Sequence, residues 1–265
     1  MTVHRITLAL LILYALLTAY TILGGLLRLA SSFFLTPFIT LVGFTFALLH
    51  AGQREGWSRA LRLLALVFVV SLLFESVGVA TGWVYGPYHY TNQLGPKFLG
   101  LVPYLIPLAW FMMSYPSFVI ADWLVPNAHR EAGETIQRRN GWVRVLAVAA
   151  VGGLVMTAWD LVMDPIMVAS GHWVWDTHGA YFGIPLQNFW GWWLTVFTTF
   201  ALYIWIAGKT ARPAEADFDR LALASYLVTT LGIVLGAYLS GKSDLALIGL
   251  FAMLPWVAAG WMKTA

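Results

Sequence analysis

Eight runs of predominantly apolar residues recur along the chain, at 6–23, 33–51, 60–81, 99–125, 143–163, 189–208, 219–240 and 244–262. About 20 such residues make an α-helix long enough to cross the roughly 30 Å hydrocarbon core of a bilayer. The chain is therefore expected to be all-α. It reads as a polytopic membrane bundle of about eight transmembrane helices, a single integral membrane domain over 1–265 whose core module, 60–205, carries the motifs. Charge content agrees: 10% of the residues are charged, against about 25% in a soluble domain. The first run follows Arg5 as a signal peptide would, but no small-x-small cleavage site follows it, so it reads as a first anchor. With no cysteine, disulfides, zinc–thiolate sites and iron–sulfur clusters are excluded. The net charge of +3 includes no basic tract, so nucleic acid is not an expected partner and membrane lipid is.

Basic residues set the orientation, because cytoplasmic loops carry the excess of Lys and Arg. With the N-terminus inside, Arg5, Arg54, Arg59, Arg62, Arg130, Arg138, Arg139, Arg144, Lys209, Arg212, Arg220 and Lys263 fall on the cytoplasmic side. Only Arg28, Lys97 and Lys242 fall outside, a split of 12 against 3 over all 15 basic residues. The expected location is the cell membrane, multi-pass, with both termini cytoplasmic.

Two outer loops, 82–98 and 164–188, are rich in Trp, Tyr, His, Gly and Pro. They read as aromatic caps that lie in the interface or fold back into the bundle. They also echo one another. Each follows a carboxylate at the outer end of a helix, Glu75 or Asp164. Each has an aromatic run, Trp83-Val84-Tyr85 or Trp173-Val174-Trp175, and closes on Ile-Pro-Leu at 106–108 or 184–186. This is the pattern of a parallel internal repeat about an axis along the membrane normal.

The stretch 159–165, WDLVMDP, ends a long apolar run with two acids. Asp160 and Asp164 are i,i+4 and share a helix face, and Pro165 is expected to end or kink the helix just beyond them. A carboxylate at the centre of a membrane helix costs about 2.5–3.5 kcal/mol on insertion scales. Glu75, two turns from the outer end of the third span, is within reach if spans three and five pack together. Like charges that close cannot all stay ionised, so at least one acid should hold its proton, as a general acid requires. The structural readings are a cap or a Trp N–H partner for Asp160, a helix-end position for Asp164, and a pairing of Glu75 with Lys97 or a histidine. Asp122, beside the basic loop 126–142, reads as structural. His89, His172, His178 and Asp176 lie on the same outer side, but their spacing fits no familiar metal set, and no metal or other cofactor is expected.

The expected catalytic set is Asp164 and Asp160 as proton donors, Asp164 ahead, with Glu75 or His172 orienting the attacking nucleophile. A pocket open to the outer half is expected, roofed by Trp83, Tyr85, Trp173 and Trp175. Tyr88, His89, Trp110, Asp176, Trp190 and Trp193 complete the expected substrate contacts. Some of these rings form an interfacial belt. Their gathering around the acids suits a carbocation, through cation–π attraction, or a long isoprenoid chain.

The blocks FESVGVATGWVYGPYHY, VPYLIPLAWFMMSYPS and WDLVMDPIM together resemble the membrane carotenoid-biosynthesis family that includes the bisanhydrobacterioruberin and gamma-carotene hydratases. The likeness covers roughly 60–205. It implies a carotenoid substrate and addition of water across a terminal double bond to give a tertiary alcohol, without a redox cofactor. Alternatives are a carotenoid cyclase or isomerase, which shares the acid and the cation but excludes water. Another is a transporter, against which stands the expected lack of a polar path through the inner half. A retinal-type photoreceptor needs a lysine inside a late helix, whereas Lys97, Lys209, Lys242 and Lys263 fall in loops or at ends. A metal-dependent oxygenase remains, decided by metal analysis.

The charge split predicts that a reporter fused after Ala265 stays in the cytoplasm. An exported reporter would reverse the assignment.

Overall fold

The computed structural model describes residues 2–27, 35–126, 141–207 and 215–265. Eight long helices account for most of them: α1 Thr2–Leu26, α2 Leu35–Glu55, α3 Trp57–Thr81, α4 Leu105–Leu124, α5 Gly141–Ala169, α6 Leu186–Ala207, α7 Ala216–Leu239 and α8 Ser243–Thr264. All eight are long and apolar enough to cross a membrane. Four short strands lie between them: β1 Tyr88–Tyr90, β2 Lys97–Phe98, β3 Val102–Pro103 and β4 Trp173–Trp175. Six of the basic residues in the charge split, Arg28, Arg130, Arg138, Arg139, Lys209 and Arg212, lie outside the described residues.

Two boundaries differ from the sequence expectation. The run from 99 opens as a β-turn, not a helix, because Gly100 takes a positive φ and β2 pairs with β3. The helix waits until Leu105. The second difference is at Pro165, which neither ends nor terminates α5: the helix runs on to Ala169. A proline inside a helix leaves the carbonyl four residues earlier without its donor. Here that carbonyl is Leu161 O, and the Tyr181 hydroxyl donates to it at 2.8 Å.

The core is most tightly built from α3, α4, α5 and α6. In it α5 packs along both α4 and α6, and α3 along α4 and α6. Spans three and five are therefore not direct neighbours; α4 and α6 bring their side chains between them. Helices α1, α7 and α8 close the remaining side, with α7 and α8 forming a tight hairpin. The two aromatic loops are not conformational copies: Trp83-Val84-Tyr85 is a turn, Trp173-Val174-Trp175 a strand. They pair with each other instead. β1 runs antiparallel to β4, with Tyr88 opposite Trp175 and Tyr90 opposite Trp173.

The end of the bundle opposite these loops holds basic residues the charge split places there, paired with acids. Arg54 of α2 bonds Asp219 of α7 at 2.9 Å, Asp122 of α4 at 2.7 Å, and its neighbour Glu55. Arg144 of α5 reaches the other Asp122 oxygen at 2.6 Å. Arg59 of α3 bonds Glu55 at 3.1 Å, and Tyr203 of α6 donates to the same carboxylate. Three arginines and three carboxylates, with Tyr203, thus tie six helices together. Asp122 is structural, as expected. Nearby, buried His50 is held between the Tyr115 hydroxyl and Phe218 O.

Removing one member of such a cluster strands the others in a low dielectric. Arg54→Ala is expected to cost about 3–5 kcal/mol. A thermal unfolding midpoint in detergent equal to that of the unaltered protein would contradict the clamp.

Candidate active site

The site begins where α3 stops. Gly82, at φ 72°, ends the helix in the left-handed conformation, its N–H bonded to Gly78 O at 2.8 Å. This is a glycine C-cap, and it turns the chain back over the bundle. Val84 then sits at φ 72° with Tyr85 N–H bonded to Trp83 O at 2.9 Å, a strained γ-turn for a β-branched residue. The turn drives Tyr85 down between α3 and α6. A Cβ at Gly78 would stand 2.7 Å from its ring and one at Gly191 2.6 Å, so both glycines are needed for the ring to fit. The Tyr85 hydroxyl meets Thr195 Oγ1 at 2.8 Å.

Strand alternation does the next step. In β1, Tyr88 and Tyr90 point inward and His89 outward; in β4, Trp173 points inward and Val174 outward. The two tyrosines converge on Glu75 of α3. Tyr88 donates to Glu75 Oε2, Tyr90 donates to the same oxygen at 2.8 Å, and Trp110 Nε1 of α4 donates to Oε1 at 3.0 Å. Burial, and after it the Glu75 charge, holds the Tyr88 and Tyr90 hydroxyls well above the usual tyrosine range. They stay protonated and serve as donors. The Trp110 ring stacks on Trp192 at 4.1 Å, and Trp159 meets Trp192 edge-on at 5.8 Å. Lys97, considered as a partner for Glu75, bonds Tyr90 O instead.

Asp160 and Asp164 form a second acidic point. Asn188, in the first turn of α6, donates from Nδ2 to Asp160 Oδ2 and to Asp164 Oδ2, both at 2.8 Å. Trp173 Nε1 donates to Asp164 Oδ1 at 2.6 Å. Of the six oxygens on the three acids, Asp160 Oδ1 is the one left buried without a partner. Trp175 Nε1 lies beside Asp164 but outside hydrogen-bond geometry, and is likewise buried without a partner.

Between the two acidic points lies a cavity of about 230 Å³. Its wall includes Glu75, Tyr85, Tyr88, Tyr90, Trp110, Trp159, Trp173, Trp175, Asn188 and Trp192, and it extends past Met112 and Ile233 to the Tyr14–Thr229 hydrogen bond of 2.8 Å. Glu75 stands in this wall. The two aspartates stand one layer behind it, covered by Asn188 and Trp173.

Eight of the expected residues (Glu75, Tyr85, Tyr88, Trp110, Trp173, Trp175 and, through Asn188, Asp160 and Asp164) are thereby brought together. Others are not in the wall. Trp83 is 75% exposed and Trp190 59% exposed. Trp190 stacks with Trp193 at 4.8 Å on a face of α6, and Trp193 bonds Ala150 O. His89 and Asp176 pair with each other at 2.8 Å on the exposed side of the ribbon. His172 is half-buried; its backbone N–H bonds Met167 O, and burial lowers its imidazole below the usual range. It is therefore neutral at pH 7 but does not face the cavity. Among the described residues, no three His, Asp or Glu side chains gather as a metal-ligand group. Asn188, Trp159 and the Tyr14–Thr229 pair are site residues that the sequence reading did not single out. The only signal for Asn188 is an amide beside Gln187 at the head of an apolar run.

The fold and site define a multi-pass, membrane-type helical bundle whose apolar, aromatic-walled cavity is bordered by buried carboxyls. The chain belongs to the carotenoid biosynthesis protein family, whose model matches residues 35–255. It is 34% identical over 176 residues to the bisanhydrobacterioruberin hydratase of Haloarcula japonica, a match covering 65% of this chain and 55% of that protein. The chain thus aligns with little more than half the length of that curated relative. No solved structure matches it.

Three donors aimed at one carboxylate make Glu75 costly to alter even without activity. Glu75→Gln turns an amide N–H₂ toward a hydroxyl or indole donor and is expected to lose about 1–3 kcal/mol of stability, read as a lower unfolding midpoint. An unchanged midpoint would mean the three donors do not depend on Glu75.

Proposed function

We propose that the protein is a carotenoid hydratase. It would add water to the terminal double bond of an acyclic end group of the lycopene, gamma-carotene or bisanhydrobacterioruberin type. The observation that carries this is the cavity itself: apolar and ringed by indoles, yet bordered by two separate carboxyl groupings. At about 230 Å³ it is smaller than the 300–1,000 Å³ of ordinary ligand pockets, which suits one end group with the rest of the polyene in lipid.

The chemistry follows from the groups present. The Asp160–Asp164 pair is the proton source. Because Asn188 and Trp173 cover it, its proton reaches the less substituted alkene carbon through a water or once that cover parts, and the π pair forms the C–H bond and leaves a tertiary cation. Trp110, Trp192, Trp159 and Trp175 face that cation with their rings. The oxygen of water then forms the C–O bond. Its released proton goes to Glu75, which the three donors hold as an acceptor. The sum is one water added and one proton moved from the aspartate pair to Glu75; its return to the pair through water restores the starting protein. A cyclase or isomerase would share the first step and then lose a proton without capturing water. The paired charges at the far end of the bundle favour a structural clamp over the transporter alternative.

The test is expression in cells that accumulate lycopene, followed by mass spectrometry of the pigments. The expected result is a carotenoid heavier by one water. Asp164→Asn is expected to fold and bind pigment but to lose turnover by about 10²–10⁴-fold, the usual worth of a general acid, with Asp160→Asn impaired as well. Cyclised or isomerised pigment of unchanged mass would select the alternative. Full turnover by Asp164→Asn with none by Glu75→Gln would exchange the two roles.

A further inference from the structure

Asn188 is the one wall residue of the cavity that also touches both aspartates. It is 2% exposed and fixed at the start of α6, where its backbone N–H bonds Pro185 O at 2.9 Å. An amide has two N–H donors and one carbonyl acceptor. Both donors point back at the acids, one on Asp160 Oδ2 and one on Asp164 Oδ2. The Nδ2 group can serve both oxygens at once, which the single carbonyl could do only for oxygens that carry a proton. The carbonyl Oδ1 is then the polar atom the amide has left for the cavity.

Most of the nearby wall offers donors or no polar atom, and the tyrosine hydroxyls, whose oxygens can still accept, lie on the Glu75 side. Trp110, Trp159, Trp173, Trp175, Trp192 and Met163 are indoles and a thioether, and an indole N–H only donates. The tyrosine hydroxyl protons beside Glu75 are already committed to it. A water that is to attack a cation must direct a lone pair at carbon while its hydrogens rest on acceptors. Glu75 supplies one acceptor and the Asn188 carbonyl supplies a second, on the side of the cavity nearer the proton source.

We propose that Asn188 is a positioning residue that holds the attacking water through Oδ1 and so decides whether the cation is hydrated or instead loses a proton. This rests on the hydratase reading above. The bond balance is the same as in that scheme: water oxygen bonds to the cationic carbon and its proton passes to Glu75. Where water is not held, the cation returns a neighbouring C–H proton to a carboxylate and re-forms a double bond, with no water added.

Turnover in membranes made up in D₂O separates the two steps. Protonation followed by proton loss puts deuterium into unhydrated carotenoid; capture by water gives the alcohol. For the unaltered protein, hydrated product is expected to dominate. For Asn188→Leu, and for Asn188→Ala should the leucine variant not fold, the ratio of hydrated to deuterated unhydrated pigment is expected to fall by about a hundredfold, the scale on which a misplaced reactant loses rate. Asn188→Gln, which keeps the amide, is expected to recover part of the ratio. A variant whose two products fall together, or whose ratio is unchanged while the unaltered protein hydrates normally, overturns the role of Asn188 alone. An unaltered protein that deuterates carotenoid but never hydrates it overturns the hydratase reading, and this proposal with it.

Discussion

A carboxylate inside a membrane-spanning bundle has no water to hydrogen-bond, so the protein must bring donors to it or leave it costly and unpaired. Most of what surrounds the cavity answers that requirement. Glu75 on α3 is reached by two tyrosines from β1 and an indole from α4. Asp164 on α5 is reached by an indole from β4 and an amide from α6. Three of these five donors, Tyr88, Tyr90 and Trp173, come from loops that fold back into the bundle, which is why those loops are aromatic where solvated loops are polar. The β1–β4 pairing then has a clear purpose. It sets the alternation of both strands in one register, so that Tyr88, Tyr90 and Trp173 all point down at the acids while His89 and Asp176 stay outside.

Charge pairing differs at the two ends. At the far end Glu55, Asp122 and Asp219 each bond an arginine, in a cluster that joins α2 to α7. At the cavity end there is no cation among the partners: tyrosine, tryptophan and asparagine supply neutral donors. Neutral donors satisfy a carboxylate without pinning it in its ionised form as a guanidinium does. On the proposed hydration the near end is the one that exchanges a proton, and it borders the cavity.

How much of this could be read from the sequence depends on the range of each interaction. The eight spans were legible because hydrophobicity is summed over some twenty residues and needs no partner. Glu75, Asp160 and Asp164 were legible because an acid in an apolar run is conspicuous wherever it points. The Arg54 cluster was not, since its partners lie 68 and 165 residues away and an arginine at a helix end looks like any positive-side residue. Pro165 misled because its vacant acceptor is filled from Tyr181, in a loop whose course the sequence does not state. Asn188 was hidden for a simpler reason: an amide in the first turn of a helix is ordinary, and its meaning comes from the two aspartates on α5. Trp83 and Trp190 show the converse, since an aromatic residue near an acid in sequence still faces outward when the local backbone turns it that way.

The central claim is that an end group of a polyene sits between Glu75 and the Asn188-covered aspartates while the rest of the molecule lies in lipid. The most direct measurement is an experimental structure of the protein with an acyclic carotenoid bound. The account predicts the terminal double bond inside the cavity, in contact with Trp110, Trp175 and Trp192 and near Glu75 and Asn188, with the chain leaving the bundle toward the bilayer. A carotenoid lying wholly along the outer surface of the helices, with its ends remote from Glu75 and Asn188, would contradict it.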